Sequence, residues 1–136
     1  MRLVAAVFTL SVSLLPSLAN AHIGLDVPTS RYGPDALKPG PCGLAGGGRS
    51  ANVTYYEPGE TIEVRWNEYV DHPGHYRIAF DADGDDDFID PAEMMELYAN
   101  DTVLLDGIAD KGYEERDYVA TVTLPDIECD NCTLQV

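Results

Sequence analysis

His22, His72 and His75 are the only three histidines in this chain of 136 residues, and their placement raises metal chemistry first. His72 and His75 flank Pro73-Gly74, a dipeptide that makes a tight turn and offers both imidazoles from one connection. His22 directly follows Ala19-Asn20-Ala21, which has the A-x-A form of a signal-peptidase site. Cleavage there makes His22 the first residue. A terminal histidine presents its free amine and its ring Nδ1 to one ion, closing a chelate ring that no internal residue can make. An α-amino group titrates near 7.7–8, so it gives up its proton to a metal around neutrality. A second imidazole completes a planar set of three nitrogens, and nitrogen-rich tetragonal geometry suits Cu(II), the head of the divalent affinity order. The residues therefore predict one bound copper ion, with His22 as ligand and the second imidazole drawn from the His72–His75 turn. For each turn histidine alone, the competing reading is a surface loop side chain.

The amino end predicts how His22 becomes terminal. Met1 and Arg2 begin it, Leu3 to Leu15 is almost wholly apolar, and Pro16 and small residues follow. This is the form of a secretory leader, too short to span a bilayer as an anchor. The expected organisation is a leader over residues 1–21 and one mature domain over 22–136, exported to the periplasm or beyond the cell. The net charge of −16 repels phosphate backbones and anionic lipid, so neither nucleic acid nor a membrane surface is expected as a partner, and a monomer is.

Export also places Cys42, Cys129 and Cys132 where disulfides persist, and three is an odd number. Cys132 to Val136 alternates like a strand and stops inside it, which predicts further chain, with a fourth cysteine, beyond Val136. Cys129-Asp130-Asn131-Cys132 has a C-x-x-C form, without a second such pair or a β-α-β pattern to mark a zinc or redox site. Two separate disulfides are the expectation, one of them joining Cys42 to a member of this pair.

The elements that must hold these groups read as all-β. Thr61 to Trp66 alternates with Ile62, Val64 and Trp66 on one face; Tyr76 to Phe80 and Tyr118 to Leu124 repeat the pattern. These strands are expected to pair as antiparallel neighbours. His22 to Ser50, with Pro39-Gly40-Pro41 and Gly46-Gly47-Gly48, reads as a long ordered loop. Asp90 as N-cap, Pro91 at the first helical position and Glu93 predict one short helical insertion carrying Met94, Met95, Leu97 and Tyr98. The fold class is thus an immunoglobulin- or fibronectin III-like β-sandwich with long loops and one helical insertion, truncated at its carboxyl end.

A family resemblance rests on these same residues. The terminal histidine, the Gly/Pro-rich first loop with one cysteine, the strand ending in Trp66, and His72-Pro73-Gly74-His75-Tyr76-Arg77-Ile78-Ala79 together resemble the lytic polysaccharide monooxygenases. With Cys129-Asp130-Asn131-Cys132-Thr133-Leu134-Gln135 they are most similar to a small bacterial group of polysaccharide-monooxygenase-like proteins. The resemblance implies a copper histidine brace in which an external reductant and O₂ or H₂O₂ serve the oxidation of a polysaccharide. It makes His22 and His72 the catalytic ligands and His75 a supporting or alternative ligand. It also implies an axial aromatic residue from a strand near the carboxyl end, which this chain does not reach.

Other features have plainer readings. Asp81-Ala82-Asp83-Gly84-Asp85-Asp86-Asp87 begins like a calcium-binding EF-hand loop, but Asp86 stands where glycine is needed and Ala92 where glutamate is. A solvated acidic loop is the expectation, with calcium as the alternative. Asn52-Val53-Thr54 and Asn131-Cys132-Thr133 are glycosylation sequons in a host that uses them. Tyr32, Tyr55, Tyr56 and Tyr69 are candidates for stacking on sugars or for the core. Two functional alternatives remain beside the oxidative enzyme: a non-catalytic exported copper-binding protein, and a carbohydrate-binding module.

Overall fold

The structure is a computed structural model that describes residues 22–33, 42–44, 46–71, 73–84 and 87–136. The leader expected over 1–21, His72, and Asp85-Asp86 lie outside the described residues. Six strands follow in order: β1 (His22–Val27), β2 (Thr61–Val70), β3 (His75–Asp81), β4 (Val103–Ala109), β5 (Asp117–Thr123) and β6 (Thr133–Gln135). They form two antiparallel three-stranded sheets, ordered β1-β2-β5 and β4-β3-β6, which face each other as a β-sandwich.

The alternation of β2 dictates this layering. Ile62, Val64 and Trp66 point inward between exposed neighbours, and Ile78 from the opposite sheet, Tyr118 and Val122 from β5 close the core around them. Val64 and Ile78 are fully buried, each stabilising the fold by about 1.5–3 kcal/mol relative to exposure. Trp66 stacks on Tyr118 at 5.3 Å between centroids and meets Tyr76 edge-on at 5.4 Å, so one aromatic cluster joins both sheets.

Several expectations are corrected. β2 and β3 do not pair, because the turn after Val70 carries the chain from one sheet to the other; β2 pairs with β1 and β5, while β3 pairs with β4 and β6. The first loop opens with a strand, β1, whose alternation is muted by Gly24 and by two register shifts. β4 was hidden by its unalternating Val103-Leu104-Leu105 and by Gly107, which takes φ +66°. Among the described residues there is no helix, and 91–101 is a succession of turns and bends. The capping residues are present, but Met94 and Met95 are 66% and 74% exposed, so a helix there has no face to bury and is too short to persist by itself.

The disulfide also differs from expectation, joining Cys129 to Cys132 rather than to Cys42. It ties off the loop just before β6. Among the described residues no helix is long and apolar enough to cross a membrane.

Candidate metal centre

β1 runs antiparallel to β2, and its first residue, His22, registers with Val70, the last residue of β2. Two positions further along the chain is His72, between the described Asp71 and Pro73, and β3 begins at His75. The topology thus brings the start of β1, the β2–β3 turn and the start of β3 to one pole of the sandwich. A register shift between His22 and Ile23 breaks the ladder at this end. The Tyr69 ring lies over Gly24, where a Cβ would stand 2.6 Å from Tyr69 Cε2 and would push the ring aside.

The His22 side chain carries the most telling atom. Its Nδ1 is buried and has no hydrogen-bond partner among the described residues. A buried, unsatisfied polar atom costs about 1–3 kcal/mol, and native proteins keep few of them. Nδ1 is also the ring atom that chelates together with a terminal amine, so the donor set present at this position fits a metal of imidazole preference.

His75 is engaged differently. Its Nε2 stands 3.4 Å from Asp106 Oδ1, and that carboxylate is buried. Asp106 also accepts the backbone N–H groups of Gly107 at 2.8 Å and of Tyr98 at 2.9 Å. Tyr98 is the non-glycine residue with positive φ, at 53°. Asp106 therefore fastens the 91–101 segment to β4 and meets the His75 ring, which gives that ring a structural partner.

Sequence reasoning missed a polar group under the same pole. Glu68 continues the inward face of β2 after Trp66 and is 1% exposed. Its Oε2 lies 3.2 Å from the Tyr118 hydroxyl, and the Tyr76 hydroxyl bonds to both Glu68 and Tyr118. The Tyr118 hydroxyl also donates toward Asp110 Oδ1 at 2.9 Å and accepts the Lys111 backbone N–H at 2.9 Å. Burial pushes both phenols up from their ordinary range, with the neighbouring carboxylates adding to it. Both therefore stay protonated at neutral pH as donors to the carboxylates. Asp110 moves the other way: the Gly112 N–H, and then Tyr118, hold its carboxyl below the usual value. Carboxylate oxygens of Glu68, Asp71 and Asp110 converge within 4.8 Å. The signal available in the sequence was the period itself, which places Glu68 two residues beyond Trp66 on the buried face.

Asp81, Asp83 and Asp87 also bring oxygens within 4.8 Å of one another, at the far end of β3. Asp81 uses both of its oxygens there to accept the N–H groups of Asp83 and Gly84, closing the turn. No known protein family, curated protein or solved structure matches this chain.

Proposed function

We propose that this is an exported copper protein of the lytic polysaccharide monooxygenase-like kind, in which His22 and His72 hold one copper ion at the pole where β1 begins. The observation that carries the reading is the Nδ1 of His22, buried and without a partner among the described residues, on a strand end registered with Val70, two residues before His72. Freed by cleavage after Ala21, the His22 amine joins Nδ1 as a second donor, and His72 supplies the third nitrogen. A copper ion held by these residues would supply activation of O₂ or H₂O₂ for oxidising a glycosidic C–H bond, with electrons from an external reductant.

The surrounding residues have their own tasks in this reading. Trp66, Tyr76 and Tyr118 exclude water from beneath the pole. Glu68, locked to two protonated phenols, fixes the end of β2 against which His22 registers. A rigid strand end presents the chelating residue at low ordering cost.

A copper titration tests the site. Protein beginning at His22 is expected to bind one Cu(II) with nitrogen-dominated tetragonal spectra, much more tightly than Zn²⁺. A single residue added before His22 is expected to weaken binding by at least about tenfold, because the amine donor is displaced. Equal affinity in the two forms overturns the brace. Incubation of the copper-loaded protein with polysaccharide and reductant then tests catalysis; tight copper binding without oxidised sugar products would make it a copper-handling protein instead.

A further inference from the structure

At the opposite pole of the sandwich, an open cleft of about 800 Å³ runs between the segment after β1, the stretch leading into β2, and the Cys129–Cys132 loop. Its volume falls within the roughly 300–1,000 Å³ of small-ligand sites. We propose that this cleft binds a neutral, hydroxyl-rich chain, an oligosaccharide, at a site separate from the His22 pole.

Three observations point to that ligand class. First, the cleft presents both signs: Arg31 and Arg49 line it, and so do three carboxylates, Glu57, Glu128 and Asp130. An anion gains no attraction from that lining or from the net charge of −16, whereas a sugar hydroxyl, both donor and acceptor, finds each kind of partner. Second, the rim is preformed. The Asn52 amide donates to the carbonyls of Ser30 and Arg31, Arg31 Nη2 donates to Thr133 Oγ1 at 2.7 Å, and Arg49 bonds to Asn131. These contacts join the separate segments around the opening, which lowers the ordering cost of binding. Third, an aromatic platform stands there. Tyr32 is bonded to Gly48, Tyr56 packs on the core and Tyr69 covers Gly24, but Tyr55, on the cleft wall, is 89% exposed. A phenol ring in that setting presents an apolar face to a pyranose and a polar tip to water.

The inference rests on the cleft and not on the copper reading, so its test is run in EDTA without copper. The mature protein is titrated calorimetrically with cellohexaose, chitohexaose and xylohexaose, and with an oligogalacturonate as the anionic arm. At least one neutral hexasaccharide is expected to bind. Tyr55→Ala should weaken it by about tenfold or more, while Tyr55→Phe, which keeps the ring, should stay within about threefold. Tyr113→Ala, which removes an exposed tyrosine remote from the cleft, should leave binding unchanged. Tyr55 is on the surface, so circular dichroism and melting of its variants should match the parent. No binding by any neutral member, binding by the anionic arm alone, or binding indifferent to Tyr55→Ala would each overturn the proposal, and none of these outcomes bears on the copper titration.

Discussion

The Tyr118 hydroxyl lies 3.2 Å from Glu68 Oε2, in a contact buried between two paired strands of one sheet. A phenol has one hydrogen to donate, and here two carboxylates, Glu68 and Asp110, stand within its reach. Tyr76 adds a second phenol beside the buried Glu68 carboxyl group.

Removing that donor should therefore be costly. Tyr118→Phe keeps the ring stack on Trp66 but removes the single hydrogen within reach of Glu68 and Asp110 and deprives Lys111 N–H of its acceptor. A loss of about 1–3 kcal/mol in urea unfolding is expected. A variant as stable as the parent would show that the other partners of Glu68 satisfy it without Tyr118.

Asp110 predicts a pH dependence with a definite sign. Its carboxyl is held below the ordinary aspartate range, chiefly by the Gly112 N–H and then by Tyr118. A group depressed on folding stabilises the fold above its unfolded value, and that contribution fades as pH falls through the folded one. The parent should thus exceed Asp110→Asn in urea midpoint at pH 6, with the gap narrowing below about pH 4. A gap that widened in acid would contradict the assignment.

The two turn histidines should separate cleanly. His75 meets buried Asp106, so His75→Ala is expected to lower stability by about 1–2 kcal/mol and to change copper affinity little. His72→Ala should instead weaken copper binding at least about tenfold. Asp106→Ala should also free the 91–101 segment, read as faster proteolysis there, because Tyr98 N–H loses its acceptor.

Gly84 tests the packing of the Cys129–Cys132 loop against the end of β3. It takes φ +85°, and a Cβ there would collide with the backbone and side chain of Asn131. Gly84→Ala should cost about 2–4 kcal/mol, seen as a melting temperature lower by about 10 °C.

The all-β class was readable because β2, β3 and β5 alternate with period two around large apolar residues, and burial of one face enforces that pattern. What the sequence hid has local causes. β1 carries Gly24 and two register shifts, so its alternation covers only Ile23 and Leu25. β4 bends at Gly107, and the turns at 91–101 carry every capping sign of a helix with no core to receive it. At the candidate site, the histidines announced themselves by type and spacing. Glu68 did not, because a glutamate at the end of an alternating run reads as the strand's end, when here it extends the buried face.

Trp66 is the chain's single tryptophan, buried to 1% and in ring contact with tyrosines from both sheets. Its emission therefore has no second source to dilute it and reports one location, the seam between the layers. Separation of the sheets should shift that emission to longer wavelength as water reaches the indole. A paramagnetic ion at the end of β1 should quench it without the shift, so unfolding and metal loading can be followed in one cuvette as two distinguishable optical changes.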